Sequence, residues 1–436
     1  MTYDVMVIGG GITGMESSLT LGDAGYNVLL VEKSPSIGGK MVELSKVFPT
    51  LDCSGCITTP KMASTANHPN ITVMSYSELQ EVYKEDEGRF KIKILQKPRY
   101  IDFDACIGCQ RCEQVCPVFV PKEYEYGLIG RKAAYVPFAM ASPRKALIDL
   151  DKCTMCGRCE RICPTDAIDF LQEPVTIEDE VKAIIIATGF KPFDPGLKKE
   201  YGYDSFDNVI HAMQMERLLS PSRPYNWVLR PSDGKEPDKA AFVLCVGSRD
   251  KTLDIPICSR VCCMYSVKQA ILFASALPLA DAAVYYMDIR AFGKGFEEFY
   301  DMAQGMGIEF IKGRVAEIDE KENGNLILKY EDFEEGIEKE DEYDMVVLSI
   351  GLRPNTEVVK AFKNVEIELD PFGFIKPVKE NVNPILTSVR GIFSAGCSTG
   401  PKDIPDSVAE ANAAAVECMD YLYEVGAKIV AEAVVR

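Results

Sequence analysis

Two runs of four cysteines with one shared spacing lie in the middle of the chain. Both follow the pattern Cys-x2-Cys-x2-Cys-x3-Cys-Pro, and they comprise Cys106, Cys109, Cys112 and Cys116, then Cys153, Cys156, Cys159 and Cys163. This spacing is typical of proteins with two [4Fe–4S] clusters, in which the fourth cysteine of each run ligates the other cluster. A four-thiolate zinc site is the alternative, but the triple spacing followed by proline favours clusters. The expected ligand sets are Cys106, Cys109, Cys112 and Cys163 for one cluster, and Cys153, Cys156, Cys159 and Cys116 for the other.

A glycine-rich turn near the amino terminus predicts a dinucleotide site. Gly9, Gly11 and Gly14 lie between a short apolar strand and a helical segment, and Glu32 ends the next strand. The first glycine allows a tight turn, the second lets the backbone approach a pyrophosphate, and the third lets the helix pack on the strand. The helix N-terminus attracts phosphates, and Glu32 can bind ribose hydroxyls. This turn alone does not distinguish FAD from NAD.

Three later segments favour FAD. They are Gly39–Lys40 after the second strand, Thr188–Gly189 at the end of a later strand, and Gly396 near the carboxy terminus. These segments resemble the recurring FAD contacts of two-dinucleotide-domain flavoproteins such as thioredoxin reductase and the pyridine nucleotide–disulfide oxidoreductases. In that family an aspartate normally follows the last glycine, whereas this chain has Cys397 there.

The second α/β block binds NAD(P)H in those flavoproteins, but here its turn has the single glycine Gly247. Four cysteines surround this turn and the segment after it: Cys245, Cys258, Cys262 and Cys263. Four thiols suffice for a third [4Fe–4S] cluster on an unusual spacing, and buried structural cysteines are the alternative. Because a cluster there would occupy the space that a nicotinamide uses, the sequence favours single-electron transfer over hydride delivery.

The chain as a whole resembles the flavoprotein component (the A polypeptide) of heterodisulfide reductase and its relatives, which include the corresponding component of the quinone-interacting membrane-bound oxidoreductase complex. The matching stretches are 48–62, the cysteine-rich insertion, the four cysteines from 245 to 263, 288–295 and 400–407. The resemblance implies FAD, several iron–sulfur clusters and a multisubunit electron-transfer complex. Methanogen-type members imply flavin-based electron bifurcation. The extra amino-terminal domain and the carboxy-terminal second ferredoxin module of the longest members have no counterpart in this sequence, so the resemblance leaves bifurcation open.

The same resemblance suggests three catalytic residues. Lys268 is expected near flavin N5, where a cation would stabilise the reduced, anionic flavin; an exposed helix lysine is the alternative. Cys53-x2-Cys56 follows Gly39 in a region that lies near the flavin in disulfide reductases. It could be a redox dithiol, half of a cluster completed by another subunit, or a pair of buried thiols.

Composition limits the classes of partner. The 436-residue chain has a net charge of −18, and nucleic-acid binding needs clustered basic residues, so DNA and RNA are excluded. Sixteen cysteines without an export signal predict metal or redox chemistry in a reducing cytoplasm. No stretch approaches the ~20 apolar residues that span a bilayer, so any membrane association is expected through partners.

The pattern predicts a two-dinucleotide-binding-domain, thioredoxin reductase-like α/β flavoprotein with an inserted ferredoxin-like 2[4Fe–4S] domain. The expected boundaries are 1–97, 173–235 and 346–436 for the FAD domain, 98–172 for the insertion, and 236–345 for a degenerate NAD-binding-like domain.

The predicted function is that of an FAD and [4Fe–4S] oxidoreductase subunit, which passes electrons between a low-potential carrier, such as ferredoxin, and partner subunits that reduce a disulfide or communicate with quinone. The alternatives are an NAD(P)H:ferredoxin-type oxidoreductase and a non-catalytic electron-relay or assembly subunit.

Overall fold

The structure is a computed structural model that describes residues 3–435. Its helices are α1 Ile12–Asp23, α2 Ser54–Ala66, α3 Arg111–Val115, α4 Arg158–Ile162, α5 Ala212–Leu219, α6 Cys262–Ala276, α7 Phe296–Gly305 and α8 Ile404–Val435. Its strands are β1 Val5–Ile8, β2 Val28–Glu32, β3 Ile71–Ser75, β4 Ser77–Asp86, β5 Arg89–Gln96, β6 Val120–Pro121, β7 Gly130–Arg131, β8 Ala134–Tyr135, β9 Leu147–Ile148, β10 Val175–Val181, β11 Ala183–Ile186, β12 Phe190–Pro192, β13 Val209–His211, β14 Lys239–Val246, β15 Asp281–Tyr286, β16 Glu309–Glu320, β17 Leu326–Asp332, β18 Ile337–Tyr343, β19 Met345–Ile350, β20 Leu352–Pro354 and β21 Ile392–Ser394.

The first unit is built on a five-stranded parallel sheet in the order β21-β11-β1-β2-β3. All four residues of β1 are buried, as expected for a central parallel strand covered on both faces. Helices α1 and α8 contribute to the core on one face, and the antiparallel sheet β10-β5-β4 packs on the other. Three separate stretches of chain therefore build one dinucleotide-binding unit.

The second unit has a seven-stranded sheet in the order β13-β19-β14-β15-β16-β17-β18. Strand β13 lies outside the predicted range 236–345 and β19 runs beyond its end. Both belong to this sheet, because β13 pairs with β19 and β19 pairs with β14. All six residues of β19 are buried, which suits a strand between two parallel neighbours. This unit therefore takes in β13, α5 and the whole of β19 in addition to residues 236–345.

The cysteine-rich insertion forms a small layer of short elements. Its helices α3 and α4 contact each other, and its strands pair as β6–β7 and β8–β9. Three cysteines, Cys106, Cys112 and Cys159, are buried in its apolar core. Among the helices of residues 3–435, none has the length and apolarity needed to cross a membrane.

Candidate functional site

A cavity of about 350 Å³ begins at the glycine turn after β1 and extends between the two units to helix α6. Gly9, Gly11 and Glu32 line it at one end, and Lys268 and Gln269 of α6 line it at the other. Its polar groups lie on an otherwise apolar wall, the arrangement expected of a pocket for a large cofactor.

The glycine turn fits a bound pyrophosphate. Gly9 has φ +107°, and a Cβ built on it would lie 2.4 Å from the carbonyl oxygen of Ala187. A Cβ on Gly14 would lie 1.8 Å from the carbonyl oxygen of Gly9, so α1 can reach this position only with glycine there. The turn therefore presents backbone N–H groups and the N-terminus of α1 to the cavity.

Glu32 lies at the end of β2, where a ribose-binding acid is expected. Its Oε2 accepts a hydrogen bond from the Gly10 amide at 2.6 Å, and its Oε1 accepts one from the Ser34 amide at 2.7 Å. Burial raises the pKa of Glu32 despite these hydrogen bonds. The two amides fix the orientation of the carboxyl group in the cavity wall.

Four of the other five predicted FAD-binding residues also line the cavity: Gly39, Lys40, Thr188 and Gly189. Nζ of Lys40 binds Glu43 and the hydroxyl of Tyr126, both at 2.9 Å. Gly396 does not line the cavity, and its amide donates to Glu410 at 2.9 Å. The buried Cys397 beside it does line the cavity.

Lys268 and Glu216 form a buried ion pair in the cavity wall, and each side chain is 1% exposed. The alternative that Lys268 is an exposed helix lysine is therefore wrong. Lys268 Nζ lies 2.5 Å from Glu216 Oε1 and donates to the Lys46 carbonyl at 2.8 Å. Glu216 also accepts from Ser45 and Gln269. Burial raises the pKa of Glu216, but Lys268 and these hydrogen bonds outweigh it, and the pKa lies below its ordinary 4.5. The resulting stability is present above about pH 4.5 and is lost as pH falls through the lowered pKa.

Several cavity residues were missed from the sequence: Glu216, Gln269, Tyr124, Phe138 and the N-terminal residues of α8. Tyr124 and Phe138 belong to the insertion, so the insertion forms part of the cavity wall. The segment 400–407 was noted only through its family resemblance, although it places Asp403, Ile404 and Ser407 of the α8 N-terminus at the cavity. Glu216 had no local signal, because its partner Lys268 is 52 residues away in sequence.

Four cysteines of the insertion line one small cavity: Cys106, Cys109, Cys112 and Cys163. This is the ligand set that the crossed spacing predicts for one [4Fe–4S] cluster. Burial raises the pKa of Cys112 to about 12, which a bound metal would reverse because thiolates are the ligating form. The donor set and its placement therefore fit the cluster.

The four cysteines predicted for the second cluster also come from both cysteine runs. Cys153 and Cys116 both raise the pKa of Cys159, after the larger effect of burial. The fourth member, Cys156, is exposed, and the hydrogen bond from the Arg158 amide lowers its pKa. The grouping of Cys116 with the second run fits the crossed arrangement of a second cluster.

The third cysteine set lies at the N-terminus of α6. Cys262 and Cys263 are its first two residues and are buried, and the Cys262 thiol hydrogen-bonds with those of Cys245 and Cys263. The hydrogen bond with Cys262 lowers the pKa of Cys263 to about 7. Cys258 accepts from the Arg260 amide at 3.3 Å. Within residues 3–435 no three His, Cys, Asp or Glu side chains are gathered tightly around a single-ion site.

The turn after β14 differs from a dinucleotide-binding turn. Gly247 has φ +70°, and a Cβ built on it would lie 2.1 Å from the ring of the buried Phe193. Residues 247–261 separate β14 from α6, so no helix N-terminus follows the turn directly. The Phe193 ring fills the space in which a pyrophosphate would approach this glycine.

Cys53 and Cys56 lie at the N-terminus of α2, outside the lining of the large cavity. Their Sγ atoms are 2.6 Å apart, and Cys53 caps the helix by accepting from the Cys56 amide at 3.3 Å. Because Cys56 is exposed, the interpretation of this pair as two buried thiols is wrong. Met140 of the insertion contacts the next turn of α2 at Thr59.

Three family models match parts of the chain. The model for the 4Fe-4S dicluster domain matches residues 52–167, the model for the pyridine nucleotide-disulphide oxidoreductases matches residues 266–415, and the model for FAD dependent oxidoreductases matches residues 4–54. The predicted FAD and dicluster modules are confirmed by these matches.

Several curated relatives that match nearly the whole chain are A polypeptides of heterodisulfide reductases. The iron-sulfur A polypeptide of a CoB–CoM heterodisulfide reductase from Methanopyrus kandleri is 50% identical over 95% of this chain and 64% of its own length. The A polypeptide of an H2:CoB-CoM heterodisulfide, ferredoxin reductase from Methanothermobacter thermautotrophicus is 46% identical over 94% of this chain and 62% of its own length. The A polypeptide of a ferredoxin:CoB-CoM heterodisulfide reductase from Methanosarcina mazei is 41% identical over 96% of this chain and 53% of its own length. The chain thus spans less than two thirds of these relatives.

Solved structures show the fold. Thioredoxin reductase of T. acidophilum is similar with a TM-score of 0.57 at 16% identity, covering 97% of this chain and 99% of its own. Thioredoxin reductase of Lactococcus lactis has a TM-score of 0.55 at 15% identity, covering 97% and 100%. The predicted two-dinucleotide-domain α/β fold class is confirmed.

Proposed function

We propose that this chain is a member of the iron–sulfur flavoprotein family of the heterodisulfide reductase A polypeptides and that it transfers electrons between a low-potential carrier and partner subunits of a complex. FAD would occupy the large cavity and two [4Fe–4S] clusters the insertion. FAD supplies exchange between two-electron and one-electron chemistry. The residues of this chain bind the pyrophosphate through the Gly9–Gly14 turn, orient the ribose through Glu32, and set the electrostatics near α6.

One observation carries this proposal: helix α6 serves both the cavity and the third cysteine set. Cys262 and Cys263 form its first turn, whereas Lys268 and Gln269 line the cavity less than two turns later. Val261, directly before the helix, also lines the cavity. Cluster ligands and a flavin-facing cation on one rigid helix would place iron–sulfur chemistry beside the flavin.

We expect Cys258→Ser to lower the iron content of the anaerobically purified chain from about 12 atoms towards about 8, at four irons per cluster. Cys418→Ser is the matched control, because Cys418 is buried in the first unit away from every predicted ligand set. Iron analysis and flavin absorbance are the measurements. An unchanged iron total would contradict a third cluster at Cys245, Cys258, Cys262 and Cys263.

The same iron analysis addresses Cys53 and Cys56, which we propose as a redox-active thiol pair. Their close Sγ atoms support this role because oxidation could join them, and so does their place at a helix N-terminus, which favours thiolate. The hydrogen bond with Cys53 raises the pKa of the exposed Cys56 thiol in the reduced pair. The Cys53→Ser and Cys56→Ser variants should then retain all the iron of the complex. Loss of iron from the complex with its partners would instead favour the alternative, half of a cluster completed by another subunit.

We expect NADPH added anaerobically to leave the flavin of the pure chain oxidised. The packing of Phe193 over Gly247 and the separation of that turn from α6 support this expectation, because both remove features that bind a dinucleotide. Stopped-flow absorbance of the flavin is the measurement, and dithionite is the positive control. Rapid bleaching by NADPH would favour the NAD(P)H:ferredoxin-type oxidoreductase.

The partners are proposed from the relatives, whose names include heterodisulfide and ferredoxin. Other subunits of a heterodisulfide reductase-like or quinone-interacting complex would exchange electrons with the clusters, and any membrane association would come through them. The cysteine-rich ligand sets need a reducing compartment, so we place the chain in the cytoplasm. An isolated chain that holds clusters but loses FAD without partners would favour a role in assembly or electron relay.

A further inference from the structure

Arg217 joins three parts of the molecule at the flavin cavity. It belongs to α5 of the second unit, is completely buried, and is the bulkiest of the fully buried side chains. Its Nε donates to Oε2 of Glu125 in the insertion at 2.9 Å, and Glu125 is 3% exposed. Its Nη1 donates to the Glu43 carbonyl of the first unit at 3.2 Å. One guanidinium therefore contacts both units and the insertion.

The same guanidinium supports the part of the insertion that reaches the cavity. It lies 4.3 Å from the centre of the Tyr124 ring, which stacks on the Phe138 ring at 4.7 Å. The Tyr124 hydroxyl donates to the Val42 carbonyl at 2.8 Å. Tyr124, Phe138 and Val42 all line the cavity. Within residues 3–435, Tyr124 and Phe138 are the only aromatic side chains of the insertion that line the cavity. A residue of the second unit thus packs against this aromatic pair.

A buried charge is a costly way to fill space. An apolar side chain of similar volume often replaces a buried ion pair without loss of stability, whereas removal of one partner is strongly destabilising. Packing alone therefore does not require arginine here. What an apolar residue could not do is bind Glu125 and the Glu43 carbonyl together while lying against Tyr124.

We propose that Arg217 is the positioning residue for electron transfer between the clusters of the insertion and the flavin. Arg217 holds the Tyr124–Phe138 face of the insertion against the cavity. This role rests on the proposed function, electron transfer through clusters and flavin. In the step that it serves, one electron leaves a reduced cluster, which is oxidised, and enters the flavin, which is reduced; no bond between heavy atoms forms or breaks.

The test compares Arg217→Met with the double variant Arg217→Met/Glu125→Met in the anaerobically purified chain with its clusters and FAD. Iron, flavin content, melting temperature and the rate of cluster-to-flavin electron transfer after flash reduction of the clusters are measured. We expect Arg217→Met to slow the transfer about tenfold or more, as loss of positioning does elsewhere, and to weaken FAD binding. The double variant should recover the melting temperature, because no carboxylate is left unpaired, but not the rate.

Arg131→Met is the matched control. Arg131 is also buried, pairs with Glu123 and Asp149, and stacks on Tyr135, but the Tyr135 ring, unlike that of Tyr124, does not line the cavity. It should lower the melting temperature without slowing transfer in the protein that retains its cofactors. If Arg217→Met does not fold, Tyr124→Leu, which keeps the ion pair, should also slow transfer about tenfold.

Recovery of the rate along with the melting temperature in the double variant would overturn the positioning role. An unchanged rate in Arg217→Met that retains its cofactors, or in Tyr124→Leu where that variant is the one measured, would do the same. Failure of the proposed function would look different: the unaltered chain would then hold iron and flavin but show no transfer between them.

Discussion

Replacement of Gly14 with valine is expected to give a protein that keeps its iron and loses its flavin. A Cβ at this position would lie 1.8 Å from the Gly9 carbonyl oxygen and 3.4 Å from Val7. Helix α1 would have to move away from β1, which would withdraw its N-terminus and the turn from the pyrophosphate. We expect FAD binding to weaken by at least about 100-fold, or roughly 2.7 kcal/mol.

The measurement is flavin content after gel filtration, with iron analysis of the same fractions. Gly305→Val is the control, because Gly305 is an exposed helical glycine with no heavy atom within 4 Å of the Cβ position. The insertion has its own core, so the iron in its clusters should be unaffected by either change. Flavin retained at the level of the control would contradict a role for this turn in FAD binding.

The features that could be predicted from the sequence are those with fixed local geometry. The spacing of the Gly9–Gly14 turn determines how a strand, a turn and a helix meet, whatever lies elsewhere in the chain. The same holds for the two cysteine runs, where Cys163 crosses to the set of Cys106 as the repeated spacing requires. Local signals were thus sufficient for the fold class, and seven of the nine predicted FAD-binding residues line the cavity.

The residues that were missed depend on contacts between distant segments. The acid of the motif MERLL at 215–219 reads as a solvated helix residue, yet Glu216 is buried because Ser45 and Lys268 reach it from other elements. Similarly, β19 was divided between two domains because nothing in the sequence shows that β13 pairs with it. Periodicity reports the burial of a strand but not its neighbours.

The ion pair in the cavity wall leads to a second large effect, for Lys268→Met. Loss of the ammonium would leave the Glu216 carboxylate buried without its counter-charge, a change that typically costs about 3–5 kcal/mol. Since the charge of Lys268 is the largest of the effects that lower the pKa of Glu216 against burial, burial would then dominate and the carboxyl would take up a proton at higher pH. We expect a lower melting temperature, most pronounced at neutral and higher pH, where Glu216 would be forced to remain charged.

The same variant should make the flavin harder to reduce. A cation beside the flavin stabilises the negative charge that reduction creates, and we expect the midpoint potential to fall by about 30–60 mV, equivalent to roughly 1.4–2.8 kcal/mol for a two-electron couple. Anaerobic redox titration followed by flavin absorbance is the measurement. The double variant Lys268→Met/Glu216→Gln separates the two effects: with no charge left unpaired it should recover most of the melting temperature, while the potential stays low. If both quantities recover together, or if the potential of Lys268→Met is unchanged, the lysine serves only to pair Glu216, because a cation that acts on the flavin cannot be removed without a change in its potential.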